Sequence, residues 1–393
     1  MNCNFSFAST PHIHFGIGER QKLLSIAQAM GTKALLVTGG TSFNQSNRCQ
    51  ALWQSLQLSL DVKRVSVSGE PSPDWVDEVV QTHKDWMPDC VIAIGGGSAV
   101  DAAKAVAGLL PSGDSVMAYL EGVGEGKVFS GITTPLIALP TTAGTGGETS
   151  KNAVLSVIGE HGFKKSFRHE SLVAKHIILD PELTLSCPAH VTAACGMDAF
   201  TQLLESFVST HANPMTDALA WSGLQQIKQG LLAAFEHGEN IEARASMLYA
   251  SSISGLTLAN AGLGSVHGLA SPLGAFFPIP HGVVCGALLY EAVRINMDAM
   301  LAREPENIAL KKYADVGRMM CGDEQLDDNA ARQSFLKLLK TWSVQLNMPE
   351  LSSYGVKTGD IPKLIAHISG GSMATNPIVL TDMELTQLIE AVL

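Results

Sequence analysis

Apolar residues follow two different rhythms along this chain, and the rhythm changes once. In the first half, short aliphatic and β-branched runs occur at Ala34–Thr38, Val62–Val67, Cys90–Ile94, Leu136–Leu139 and His176–Leu179. Between several of them lie segments with apolar positions every three or four residues: Glu19–Met30, Asn47–Leu58, Pro73–Trp86 and Ala99–Leu110. The first pattern predicts strands and the second predicts helices. Their alternation predicts a mainly parallel sheet with helices on both faces. Asn152–Lys165 interrupts it and predicts a hairpin with its tip at Gly159 to Gly162. Near Leu183 the strand signal stops. Helical periodicity then marks Asp198–Phe207, Pro214–Phe235, Ile241–Leu258, Ile308–Met320, Ala330–Leu346 and Asp382–Leu393, and Ser186-Cys187-Pro188 marks a helix start. The expectation is an α/β domain over residues 1–184 followed by an all-α domain over 185–393.

Composition narrows the function. The 393 residues suffice for two domains with separate cores. A net charge of −11 argues against a nucleic-acid surface. Seven scattered cysteines without a Cys-x-x-Cys pair point to reduced thiols in the cytoplasm rather than a disulfide framework. The start, Met1 to Phe7, lacks the basic-then-apolar pattern of a signal peptide. Met247 to Tyr290 contains no Asp, Glu, Lys or Arg, yet Gly, Ser, Asn, Pro and His break it up. A buried wall of an active site fits it better than a membrane span.

The candidate chemistry lies in two places. Gly95, Gly96, Gly97 and Ser98 follow a strand and open a helix, which lets a pyrophosphate approach the backbone and meet free N–H groups. Pro140 to Glu148 adds the hydroxyls of Thr141, Thr142 and Thr145 after another strand. No Walker A pattern occurs, which argues against an NTPase. At Gly39, Gly40, Thr41 and Ser42 no carboxylate awaits a ribose 2′-OH, so the expected cofactor is NAD(P)(H), with NADP(H) favoured. Downstream, Asp198, His267 and His281 form a carboxylate and two-imidazole set suited to Fe²⁺ or Zn²⁺. A phosphate loop in one half and a metal in the other suggest a metal-assisted redox enzyme. Taken singly, each of these residues also has a plain reading as a turn, a helix cap or a hydrogen-bonded core side chain.

Several motifs together resemble the iron-containing (group III) alcohol dehydrogenases. They are Gly-Gly-Gly-Ser-x-x-Asp-x-x-Lys (Gly95 to Lys104), Thr141 to Glu148, Asp180-Pro181, Gly196-Met197-Asp198-Ala199, and His267 to Ala275 leading to Pro280-His281-Gly282. The similarity runs from His14 to beyond Leu288. It implies a dinucleotide-binding α/β domain, an all-helical domain and an active site between them. It also implies four metal ligands, of which Asp198, His267 and His281 match, whereas Gln202 stands where the family carries His. An amide oxygen is a poorer ligand, so the expected site is weaker or three-liganded. Ser271 stands where many members carry another His, so Ser271, water or the cofactor ribose would relay the proton. A lysine at 164 or 165 falls where members place one near the cofactor, and Asp101 follows the glycine loop.

The expected reaction is interconversion of a small primary alcohol and its aldehyde by hydride transfer, with His281, Ser271 and Lys164 assisting and Phe200, Phe276 and Phe277 lining the pocket. The alternatives are a metal-independent reductase like the maleylacetate reductases, a dehydrogenase of a sugar-acid alcohol, a dehydroquinate-synthase-like lyase, or a binding protein descended from the family. A homodimer is expected, through an edge strand near His12–Phe15. Gly370 to Pro377 reads as a cleft-facing loop.

Overall fold

The computed structural model describes residues 4–368 and 370–393. Cys3 lies outside the described residues, and the other six cysteines are free thiols.

Six parallel strands form the main sheet: β1 (His12–Phe15), β2 (Lys33–Gly39), β3 (Asp61–Val67), β4 (Cys90–Gly95), β5 (Leu136–Pro140) and, beyond a separate hairpin, β8 (His176–Leu179). The hairpin pairs β6 (Asn152–Val157) with β7 (Phe163–Arg168) in antiparallel register. The sheet order is β1-β8-β5-β4-β2-β3. The chain therefore runs outward from β2 to β3, returns to the other side of β2 as β4, and continues outward to β5 and β8. Its direction reverses between β2 and β4, and crevices of this kind at carboxyl strand ends are where α/β sheets bind ligands.

Burial explains why the strands read as unbroken apolar runs. On β2, Leu35 and Val37 enter one core, while Ala34 and Leu36 enter another on the opposite face. On β4, Val91 and Ala93 face the first core, and Ile92 and Ile94 face the second. Helices α1 (Leu23–Met30), α2 (Thr41–Gln45), α3 (Asn47–Ser59), α4 (Pro73–His83) and α5 (Gly97–Leu109) connect the strands.

The chain then becomes helical: α6 (Ala189–Val208), α7 (Pro214–Glu236), α8 (Ile241–Ala261), α9 (Ser265–Phe276), α10 (His281–Arg303), α11 (Ile308–Cys321), α12 (Asp328–Gln345), α13 (Ile361–Ala366), α14 (Gly370–Met373) and α15 (Asp382–Glu390). One core unites these helices. Helix α6 begins nine residues before the expected Asp198, directly after Pro188. Helices α9 and α10 are absent from the sequence-predicted helices. Helix α9 and the first ten residues of α10 come from the charge-free stretch, where burial on nearly every side erases the polar stripe that marks an amphipathic helix; in α10 that stripe begins only at Glu291, Arg294 and Asp298. No helix among the described residues is long and apolar enough to cross a membrane.

The two halves meet at a contact of glycine on glycine. A Cβ on Gly146 would lie 2.1 Å from Ser251 O, and one on Gly255 would lie 2.1 Å from Gly146 O. Only bare backbone lets the loop after β5 touch α8 this closely.

Candidate functional site

Backbone forms one side of the site. The N-terminus of α5 opens at Gly96 and Gly97, with Ser98 in its first turn. The loop after β5 lies against it, and Thr141 N–H donates to Gly95 O at 2.9 Å. A Cβ on Gly96 would lie 3.2 Å from Thr142 Oγ1, and one on Gly97 would lie 3.3 Å from Thr145 Oγ1. Two threonine hydroxyls and a helix N-terminus thus border one cradle that side chains would fill. Gly39 ends β2, and Thr41 and Ser42 open α2 beside it. Arg64, from β3, donates to Thr38 Oγ1 (3.1 Å) and Asn44 Oδ1 (2.8 Å). It therefore stands at the same strand ends.

Asp101 and Lys104 occupy the next turns of α5. Burial raises the Asp101 carboxyl to about 6 against the pull of Lys104, and Val154 N–H is its hydrogen-bond donor. Lys104 is wholly buried. Its ammonium donates to Ser150 O (2.7 Å), Ser150 Oγ (3.0 Å) and Asn152 O (2.8 Å), which ties the hairpin to α5. Burial lowers its pKa to about 8. Nearby Glu148 is buried with no partner at Oε1, and burial raises it to about 7.

Side chains form the other side. Asp198 sits in the middle of α6, His267 in the first turn of α9, and His281 at the first position of α10. His267 Nε2 lies 3.3 Å and His281 Nε2 3.8 Å from Asp198 Oδ1. Cys285, one turn beyond His281, joins them with Sγ 3.6 Å from His267 Nε2 and 3.8 Å from His281 Nε2. Glu205, two turns beyond Asp198 on α6, holds His267 Nδ1 at 2.7 Å through Oε2 and accepts Val266 N–H at 2.7 Å through Oε1. Asn376 Oδ1 accepts Ser265 N–H at 2.9 Å. The Gly370–Pro377 loop thus buttresses the start of α9.

The electrostatics follow from this packing. Burial opposes charge on His267, but Cys285, Asp198 and Glu205 overcome it and raise its pKa well above the usual imidazole value. Burial lowers His281 to about 4 despite the attraction of Asp198. Burial would raise Asp198, yet the two histidines hold it below the usual carboxyl value. With His267 Nδ1–H given to Glu205, the Nε2 lone pair faces a carboxylate oxygen. Two acceptors in contact need a proton or a cation between them. His281 also leaves Nδ1 buried without a partner. This donor set fits a divalent metal, with Glu205 fixing the ring orientation and tautomer of His267.

The remaining sequence candidates fall into place around this cluster. The Gln202 amide is hydrogen-bonded to Ser254 Oγ of α8 at 2.9 Å. Lys164, not Lys165, turns inward: Lys164 pairs with Glu70, while Lys165 approaches Gly122. Ser271 Oγ donates to Lys164 O at 3.2 Å. Phe200 does not line a pocket; it is wholly buried against Phe335 and Trp342 in the helical core. Phe276 packs against the His367 ring and the Lys363 ammonium. Sequence reasoning missed Glu205, Glu70, Arg64 and Cys285. Only helical spacing from Asp198 and from His281 could have marked Glu205 and Cys285.

Known proteins share the sequence family and the fold. Residues 10–181 match the family model "Iron-containing alcohol dehydrogenase", and residues 192–393 match "Fe-containing alcohol dehydrogenase family, C-terminal". Alcohol dehydrogenase 4 of Saccharomyces cerevisiae is 32% identical over 363 residues, covering 91% of this chain and 90% of the yeast one. The crystal structure of a 1,3-propanediol oxidoreductase superposes with a TM-score of 0.89 at 28% identity, over 99% of this chain and 100% of that one. A sulfoacetaldehyde reductase from Bifidobacterium kashiwanohense, solved in complex with NAD⁺, gives a TM-score of 0.83 at 28% identity, over 100% and 99% of the two chains. The chain belongs to the iron-containing (group III) alcohol dehydrogenases and is an enzyme of the alcohol dehydrogenase and aldehyde reductase type.

Proposed function

We propose that this enzyme interconverts an uncharged primary alcohol and its aldehyde, using NADP(H) and one divalent metal. The observation that carries this reading is the convergence of Asp198, His267 and His281 from three helices, with Glu205 locking His267. When bound, the metal supplies Lewis acidity at the substrate oxygen. Gly95 to Ser98, Thr141, Thr142 and Thr145 hold the dinucleotide, with Gly39, Thr41, Ser42 and Asp101 nearby. Hydride passes between the nicotinamide ring and the substrate carbon. His281, at the mouth of the cluster, orients the substrate. Ser271 and the Lys164 ammonium mark the side by which the alcohol proton leaves; the Ser271 hydroxyl is positioned there by donating to the Lys164 main-chain carbonyl at 3.2 Å.

The preference for an uncharged substrate rests on charge balance. The wall from Met247 to Tyr290 has no Lys or Arg, and Lys164 is already paired with Glu70. A sugar acid would find no unpaired lysine or arginine on that wall. The cofactor half spans residues 1–184 and the metal and substrate half 185–393. The unpaired side of edge strand β1, with Ile13 and Phe15 exposed, suits a homodimer.

A second reading draws on a specific observation. A protonated His267 between Asp198 and Glu205 would satisfy both carboxylates without metal, as in a metal-independent reductase. Metal analysis of anaerobically purified protein separates the two, combined with aldehyde-dependent NADPH oxidation before and after chelation. One Fe or Zn per chain, with turnover lost on chelation and restored by metal, is the expected result. Full turnover in metal-free protein would overturn it.

A further inference from the structure

We propose that Cys285 Sγ is the fourth protein ligand of the metal, in place of the residue at 202, and that the site consequently selects Zn²⁺ over Fe²⁺. This rests on the reading of the Asp198 cluster as a metal centre.

Four of the six edges between the ligand atoms come close to those of a tetrahedral site. Ligand atoms about 2.0–2.3 Å from a tetrahedral Zn²⁺ stand about 3.3–3.6 Å from one another. Here the Asp198–His267 edge is 3.3 Å, the Cys285–His267 edge 3.6 Å, and the Asp198–His281 and Cys285–His281 edges 3.8 Å. All four ligand atoms lie within 4.8 Å of one another. A small closure of the cage completes the contacts.

Helix geometry explains the substitution. Asp198 and Gln202 share one face of α6 one turn apart, and His281 and Cys285 share one face of α10 in the same way. Either helix is able to supply a pair of ligands. On α6 the Gln202 amide is tied to Ser254 of α8. On α10 the Cys285 thiol is wholly buried and meets the ring nitrogens of both histidines. A thiolate and a carboxylate together neutralise a divalent ion, and coordination deprotonates a thiol outright. A sulfur ligand in a tetrahedral N, O and S set favours Zn²⁺ over Fe²⁺, Mn²⁺ or Mg²⁺. With four protein ligands held by the chain, a substrate oxygen would have to be accommodated as a fifth, an expansion that zinc tolerates.

The test uses the full chain loaded with one equivalent of Zn²⁺ or Co²⁺. X-ray absorption at the zinc edge should show one sulfur neighbour at about 2.3 Å. The cobalt form should show a sulfur-to-metal charge-transfer band in the near ultraviolet. Cys285→Ser should abolish both signals and weaken Zn²⁺ binding at least tenfold in chelator competition. Cys195→Ser, which changes the other thiol near Asp198, should keep the band. One metal per chain without a sulfur signal overturns the assignment to Cys285 and leaves the metal centre standing. A sulfur signal that survives Cys285→Ser does the same. A chain that binds none of Zn²⁺, Co²⁺ or Fe²⁺ overturns both. The X-ray absorption measurement needs no variant, so a poorly folded Cys285→Ser would not obscure the answer.

Discussion

The two sides of this site are built from different material. On the sheet side the recognition elements are backbone: a helix N-terminus at Gly97, a loop of threonines, and glycines that leave room. They sit within a few residues of strand ends, so the fold places them almost automatically. On the helical side the elements are side chains at 198, 205, 267, 281 and 285, drawn from three helices. Nothing local places them; the packing of α6, α9 and α10 does. Function spread over many N–H groups should tolerate single side-chain losses, whereas function concentrated in four ligand atoms should not.

The largest expected effect breaks the side-chain half. Asp198→Ala removes the carboxylate common to both histidine contacts. Loss of the metal's Lewis acidity costs several kcal/mol of transition-state stabilisation, on the order of a thousandfold in kcat/KM. Bound metal should fall in parallel, while helical content by circular dichroism stays unchanged. Thr142→Ala, on the backbone half, removes one neutral hydrogen-bonding group worth about 1 kcal/mol, roughly fivefold in cofactor KM. Comparable losses from the two substitutions would show the contrast to be false.

The same contrast explains what was legible in the sequence. Strands β2, β4, β5 and β8 were readable because burial on both faces leaves a short apolar run that glycines and prolines then end. The glycine loop and the Thr141–Gly146 loop were readable for the same reason, since their chemistry is local. Asp198, His267 and His281 were found by motif, yet α9 and α10, which carry two of them, were not predicted as helices. Pro272 inside α9 and the missing polar face of α9 and of the first half of α10 hid them. Glu205 and Cys285 were hidden more deeply. Each is an ordinary residue for a helix, and only the packing against His267 gives it meaning. Phe200 shows the opposite error, an aromatic near a motif that belongs to the core.

A smaller effect tests the seam between the halves. Glu148 lies in the loop that packs on α8, and burial raises its pKa from 4.5 to about 7. A folded-state pKa above the unfolded one means that the native state holds the proton more tightly. Stability from this group is complete below pH 4.5 and is lost as pH rises through 7. Glu148→Gln should therefore change stability little at pH 4.5 and raise it by up to about 3 kcal/mol at pH 7.5. Asp101, raised to about 6, and Lys104, lowered to about 8, also change charge across this range and interact with Glu148, so the difference between the two proteins at each pH carries the reading. Denaturant unfolding of both proteins at the two pH values measures the difference. An equal shift at both would mean that Glu148 does not titrate between them.

A last test asks whether the backbone half owes its proposed cofactor choice to one side chain. Arg64 lies with its guanidinium 4.2 Å from the Phe43 ring centre, anchored to Thr38 and Asn44. Thr41 and Ser42 open the neighbouring helix, and no carboxylate at Gly39 or Gly40 would repel a phosphate. A guanidinium that reaches the carboxyl end of β2 from the neighbouring strand β3 suits a ribose 2′-phosphate. Arg64→Ala should raise the KM for NADPH about tenfold, consistent with one charge-assisted contact of about 1.5 kcal/mol, and leave the KM for NADH nearly unchanged. If both values rise together, Arg64 acts only by holding Asn44 and the start of α2. The proposed preference for NADPH would then have to rest on Thr41, Ser42 and the backbone amides.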